Sequence, residues 1–422
     1  MSTIYYREVV SPARAAAFEI LRLVEGGGYA SDLLFSRSGG LDSRDAGLAS
    51  EIVLGSLRFQ GQLDFLIEHL SGRAAARLDP EVRIALRMAI YQLRHLSRVP
   101  EHAAVSESVE LVKRARKRSA APLVNAVLRK VDREAVAWPD RAVELSHPAW
   151  LLERWERQFG CETAEKIARA NLATPETYVR IAEPLADARG SVLGGAAAGS
   201  ATASGAARGG ALAPNRDREG ADGFEATEVP GCYRVTAGHA EGLRIQDIGS
   251  QSIVPLLDLQ PGQTFLDLCA APGNKTAQAL ESGVRAVACD IHLSRLVNMR
   301  GLGCDLVVLD GTRPLPFRGR FERILVDAPC SGTGTLGRNP EIKWRLQPGD
   351  FEALHRRQVA LLGNALERLA PGGRLVYSTC SLEREENEDV IAAIGAPVER
   401  LWRRLPGVDR GDGFFAAVLT SD

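Results

Sequence analysis

The chain has 422 residues, enough for two or three packed domains. Its 45% hydrophobic and 25% charged content argues against wholesale disorder or a fibrous repeat, and no apolar run is long enough for a membrane span. The net charge of −1 hides an asymmetry: residues 1–133 hold 20 basic and 15 acidic side chains, so positive charge is concentrated at one end, as a polyanion site would require.

The start, MSTIYYREVV, lacks a basic-then-apolar leader, so a cytoplasmic protein is expected. The first 135 or so residues read as helical. Ser11 is a candidate N-cap with Pro12 at the first helical position, and Gly26–Gly28 stop that helix. A second helix is predicted after Ser43, carrying Leu48, Ile52 and Leu57, and a third opens near Pro80. HAAVSESVELVKRAR and APLVNAVLRKV supply two more, so a compact helical bundle is expected over 1–138. HPAWLLERWERQFG (147–160) reads as one further helix in a connecting region, 139–240. That region is interrupted at about 186–223 by a low-complexity insertion, in which 14 of the 18 residues 194–211 are Gly or Ala.

From about residue 241 to 422 the pattern changes. TFLDLCA, VRAVACD, CDLVVLD, FERILVDAP and GRLVYSTC are strand candidates alternating with helical stretches. The fold class is therefore α/β: a C-terminal Rossmann-like domain with a parallel sheet, preceded by an all-α domain. Four successive strands end in an acid, Asp267, Asp290, Asp310 and Asp327. Ligands bind at the carboxyl ends of such strands, and an acid after the second can hold ribose hydroxyls, so a nucleoside cofactor is indicated. GxGxxG is missing, which disfavours a dinucleotide.

The seven cysteines include no CxxC pair, which argues against a disulfide framework or a cysteine zinc site. Two of them, Cys330 in DAPCSG and Cys380 in YSTCS, lie on polar turns just beyond neighbouring strand ends. A thiolate that adds to carbon 6 of cytosine turns the ring into an enamine, nucleophilic at carbon 5, which can then attack a sulfonium methyl. An amino-group methyltransferase would carry an Asn/Asp-Pro-Pro-Tyr-like motif where DAPC stands.

LDLCAAPGNKT, CDIHLSRL, LVVLDGTRP, ILVDAPCSGTGTLGRNPEIKWR and LVYSTCSLEREENEDVI, with GDGFFAAVL near the end, resemble the RNA 5-methylcytosine methyltransferases of the NOL1/NOP2/Sun family. EHAAVSESVELVKRARKRSAAPLVNAVLRKV resembles a NusB-like RNA-binding domain. The pairing resembles a bacterial branch of the family that methylates a cytosine of small-subunit (16S) ribosomal RNA. The resemblance implies Cys380 as nucleophile, Cys330 in product release and Asp327 beside both cytosine and methyl donor. It implies Cys269, Ala270, Ala271, Pro272, Gly273, Asn274 and Lys275 as the S-adenosyl-L-methionine loop, with Asp290 at the ribose and Asp310 near the adenine. Lys275 is expected close to the active-site polar groups. Asn274 stands where the family has a second glycine; because Asn is the non-Gly residue most at ease at positive φ, the loop is expected to survive with slight strain.

In the helical domain Lys113, Arg114, Arg116, Lys117 and Arg118 form a basic run that reads as an RNA phosphate contact or a solvated helix end. Trp344 either packs near the flipped base or braces the loop. Ribosomal RNA is the expected partner of a monomeric chain, with no membrane and no metal. The alternatives are the same chemistry on transfer RNA, or a noncatalytic NusB-like RNA-binding or antitermination factor.

Overall fold

The computed structural model describes residues 10–181, 223–237, 240 and 242–421. The Gly/Ala-rich stretch 194–211 lies outside them. The chain divides into two compact units, one built from residues up to 175 with 335–346 and 406–408, the other from 176–334, 347–405 and 409 onward.

The first unit is helical. Its elements are α1 (Pro12–Glu25), α2 (Ala30–Arg37), α3 (Ser43–Arg58), α4 (Gln60–Ser71), α5 (Pro80–His95), α6 (Glu101–Arg114), α7 (Ala121–Leu128), α8 (Arg141–Glu144), α9 (Ala149–Phe159) and α10 (Cys161–Leu172). Ala13, Ala17, Ile20 and Val24 recur at helical spacing along α1 and bury against α3 and α5, where Ile52, Val53, Ala85 and Ala89 are closed to solvent. Two expectations about helix starts need correcting. Ser11 occupies the N-cap position of α1, but its hydroxyl donates to Glu107 Oε2 at 2.8 Å instead of capping; this ties α1 to α6. α3 begins at Ser43, and Asp42 is its cap, accepting from the Asp45 amide at 2.7 Å.

The second unit holds two sheets. The smaller comprises β1 (Tyr178–Arg180), β2 (Phe224–Ala226), β3 (Cys232–Val235) and β4 (Arg244–Ile245), all antiparallel in the order β2-β3-β1-β4. The larger contains β5 (Thr264–Asp267), β6 (Arg285–Asp290), β7 (Asp305–Val308), β8 (Phe321–Asp327), β9 (Leu369–Thr379), β10 (Val398–Arg404) and β11 (Phe414–Thr420). Its order is β10-β11-β9-β8-β5-β6-β7. The five strands from β5 to β9 run parallel; β11 and β10 add an antiparallel edge. The associated helices are α11 (Ile248–Gln251), α12 (Asn274–Leu280), α13 (Leu293–Leu296), α15 (Asp350–Leu366) and α16 (Glu388–Ile394). The intervening α14 (Ile342–Arg345) belongs to the helical unit.

The chain builds the sheet outward from β5 through β6 to β7, then crosses to β8 on the other side. The strand order therefore reverses between β5 and β8, and a crevice opens at their carboxyl ends. Ile324, Leu325, Val326, Leu375, Val376 and Tyr377 are buried along β8 and β9, the near-continuous apolar pattern of strands covered on both faces.

Candidate functional site

The crevice is lined by Asp267, Cys269–Pro272, Asn274, Lys275 and Asp327, together with Ser250. Asp267 ends β5 and is fully buried; its Oδ2 accepts from Thr276 Oγ1 at 2.7 Å, while Oδ1 has no partner. Burial pushes its carboxyl up to about 7, against the Thr276 hydrogen bond and with help from the Asp327 charge.

The loop after β5 turns through Gly273, at φ +103°, into α12. A Cβ on Gly273 would lie 2.9 Å from Met299 Cγ, so this position needs glycine for both conformation and space. Asn274 is the first residue of α12 and is not among the positive-φ residues. The strain expected there does not arise, because Gly273 alone takes the left-handed conformation.

Asp327 ends β8, where two neighbours fix its carboxylate. Lys275 Nζ donates to Oδ2 at 2.7 Å, and Ser378 Oγ on β9 donates to Oδ1 at 2.7 Å. Burial works against the Lys275 ammonium, but the Asp327 carboxylate outweighs it, so the lysine is held charged above its ordinary value. The same ammonium lies 5.2 Å from the centre of the Phe414 ring.

Cys330 and Cys380 come together, with their sulfurs 3.3 Å apart. The hydrogen bond to Cys380 and burial push the Cys330 thiol well above its ordinary value. Asp290, at the end of β6, is nearly buried and accepts from the His292 amide at 2.8 Å. Asp310, two residues beyond β7, accepts from Thr312 N at 3.0 Å and Thr312 Oγ1 at 2.6 Å; these bonds lower its pKa. Burial keeps Cys269 well above the ordinary thiol value, so it is neutral in the loop.

Sequence reasoning singled out Asp327 and Lys275 but missed Ser378 and Phe414, which hold them. It also missed Ile291, an exposed apolar side chain next to Asp290. The available signals were local: Ser378 lies two residues before Cys380, and Phe414 lies in GDGFF.

In the helical unit, the basic run is partly neutralised. Lys113 and Arg114 approach Glu110 at 3.5 and 3.8 Å, and Lys117 pairs with Asp79 at 3.1 Å. Arg114, Arg116 and Arg118 are exposed. Trp344 braces: its indole N–H donates to the Leu57 carbonyl at 2.9 Å.

Comparison with known proteins covers both units. The family described as 16S rRNA methyltransferase RsmB/F matches residues 254–400, and the NusB family matches 11–133. Ribosomal RNA small subunit methyltransferase B of Klebsiella pneumoniae is 33% identical over 439 residues, covering 96% of each chain. Its namesake from Salmonella paratyphi B is also 33% identical, covering 96% of this chain and 97% of the relative. Among solved structures, PH0851 matches with a TM-score of 0.76 at 22% identity over 98% of this chain and 100% of that one, a likeness of fold. A methyltransferase homologue from Pyrococcus horikoshii matches with a TM-score of 0.51 at 25% identity, over 67% of this chain and 97% of its own. With near end-to-end identity of this order, the chain belongs to the RsmB/F family of 16S rRNA methyltransferases, its helical unit carrying the NusB-family match.

Proposed function

We propose that this chain methylates carbon 5 of a cytosine in small-subunit ribosomal RNA, with S-adenosyl-L-methionine as donor and Cys380 as covalent nucleophile. The observation that carries this reading is the pair of thiols 3.3 Å apart on the turns after β8 and β9, beside the Asp327–Lys275 ion pair. Direct methyl transfer to an exocyclic amine needs no such pair, whereas addition to carbon 6 followed by elimination uses one thiol for each step.

The crevice suits the cofactor. Asp267 has an unpartnered buried oxygen for a cationic group, Gly273 lets the loop approach closely, and Asp290 and Asp310 stand at successive strand ends for the nucleoside. Ile291 offers an apolar face beside them. Residues Cys269–Lys275, with Asp290, Asp310 and Asp327, would hold the donor, which supplies an electrophilic methyl on a sulfonium centre.

The protein's part follows from its charges. The Lys275 ammonium neutralises the Asp327 carboxylate. Asp327 is placed to hold the polar edge of a cytosine taken out of its stack, which favours loop or single-stranded RNA. Cys380 adds to carbon 6, and its negative charge passes into the ring and is spent in bond formation at carbon 5. The Cys380 sulfur that otherwise lies against Cys330 is then bonded to carbon 6. Cys330 then gives its proton to solvent, takes the proton from carbon 5, and the carbon–sulfur bond breaks with its electrons returning to Cys380. The exposed Arg116 and Arg118 are available for phosphates, which position RNA without reading its sequence.

The test is methylation of small-subunit RNA from cells lacking the gene, read by bisulfite sequencing. Cys380→Ala is expected to lose activity by at least about 10³-fold with cofactor binding unchanged. Cys330→Ala is expected to accumulate a denaturant-stable protein–RNA adduct. Retained activity in Cys380→Ala would sink the mechanism, and methylation of transfer RNA alone would overturn the substrate.

A further inference from the structure

The two cysteine turns leave the sheet from neighbouring strands and touch directly where the Gly334 amide donates to the Cys380 carbonyl and the Leu382 amide to Thr333 Oγ1, each at 2.9 Å; these bonds lie beyond the cysteines, at the far side of each turn. Their sulfurs sit 3.3 Å apart. The Glu386 side chain, which lies on neither turn, joins them. It is fully buried on a short 3₁₀ turn, Arg384–Glu386, just before α16. Its Oε1 accepts from the Ser331 amide at 2.8 Å and from Gln358 Nε2 at 3.0 Å. Its Oε2 accepts from the hydroxyls of both Ser331 and Ser381. Ser331 follows Cys330, and Ser381 follows Cys380. Gln358 also donates to the carbonyl of Pro329, the residue before Cys330, at 3.0 Å. Tyr377 on β9 donates to the Glu386 carbonyl at 2.6 Å, which fixes the clamp to the sheet.

We propose that Glu386 is a positioning residue for the methyl-transfer reaction, its carboxylate clamping the two cysteine turns at the separation that nucleophilic addition and product release require. The inference rests on the roles given above to Cys380 and Cys330. A buried carboxylate surrounded by neutral donors is costly, and an apolar side chain would fill the space at lower cost if packing were its only role. A carboxylate offers two acceptor oxygens at a fixed spacing, so it can take hydrogen bonds from both turns at once.

The experiment uses the full chain as wild type, Glu386→Ala and Glu386→Gln. It measures kcat and KM on RNA, cofactor affinity, and the rate at which a short bifunctional thiol reagent bridges Cys330 to Cys380 without RNA. Glu386→Ala is expected to lose about 10²-fold in kcat, the scale of a misplacement near 1 Å, with KM and cofactor affinity unchanged and bridging slowed. Glu386→Gln keeps one acceptor, and the serine hydroxyls can turn to accept from its amide; it is expected to restore bridging and most of kcat. If Glu386→Ala cannot be purified folded, Ser381→Ala is expected to slow bridging and kcat several-fold at unchanged cofactor affinity. Bridging at the wild-type rate in the alanine variants overturns the clamp, as does equal impairment of kcat, KM and cofactor affinity in both Glu386 variants. A wild-type chain that bridges normally but does not methylate cytosine would instead overturn the cysteine chemistry and this proposal with it.

Discussion

Each unit of the molecule buries a lysine, and the two have opposite electrostatic fates. In the α/β unit Lys275 faces the Asp327 carboxylate and is held charged. In the helical unit Lys343, with no exposed surface, donates to the Arg58 carbonyl at 2.9 Å; burial and the nearby Arg58 charge push it well below its ordinary value. The difference lies in the partner. A carboxylate compensates a buried ammonium; a carbonyl dipole beside a guanidinium does not. Burial alone therefore does not mark a functional lysine. Convergence with an acid at a strand-end crevice does.

Breaking the pairs should separate the two lysines cleanly. Lys275→Met removes the charge that pairs with Asp327, and is expected to cost about 10²–10³-fold in kcat. Lys343→Met should leave kcat within about twofold. Its effect belongs to stability. With the folded-state pKa below the unfolded value, the unfolded chain binds the extra proton, so the wild-type helical unit gains stability as pH rises towards the ordinary lysine value of about 10.4. Lys343→Met should abolish that slope and stabilise the unit at neutral pH by about 1–2 kcal/mol, the relieved desolvation exceeding the lost hydrogen bond. Denaturant titrations at several pH values check this; an unchanged slope would show that Lys343 stays charged.

The smallest effect concerns Asp267. Its carboxyl, raised to about 7 by burial, ionises across the neutral range. If the ionised form meets the cationic part of the donor, cofactor affinity should rise by up to about tenfold between pH 6 and 8. Calorimetric titration of Asp267→Asn should show a weaker affinity that no longer varies with pH.

Much of the α/β unit is legible in the sequence because its signals are local. An apolar run, an acid at its end and a small-residue turn occur within about a dozen residues, and the two cysteines sit in such runs. The clamp is not legible in that way: Glu386 is 55 residues from Ser331. One more acid in the string EREENED carries no sign of which carboxylate turns inward. The helical unit hides its completion further still. Arg345 donates to the carbonyls of Val24 in the last turn of α1 and of Gly27 and Gly28 just beyond it. Glu341 accepts from the Ala30 amide at the start of α2 at 2.9 Å, and Trp344 and Lys343 take the carbonyls that end α3. These contacts span 285–321 residues, a separation at which no local pattern speaks. Opposite charges meet the helix ends they suit, cations at carboxyl ends and an acid at an amino end, but only the fold brings them there.

This arrangement sets a schedule for biogenesis. As the chain leaves the ribosome, α1, α2 and α3 emerge early, but the residues that satisfy their ends lie beyond position 340. At roughly 5–20 residues per second, the amino-terminal helices wait on the order of tens of seconds with open carbonyls and amides. The helical unit, separable by eye in the sequence, is thus completed by a segment encoded about 300 residues later.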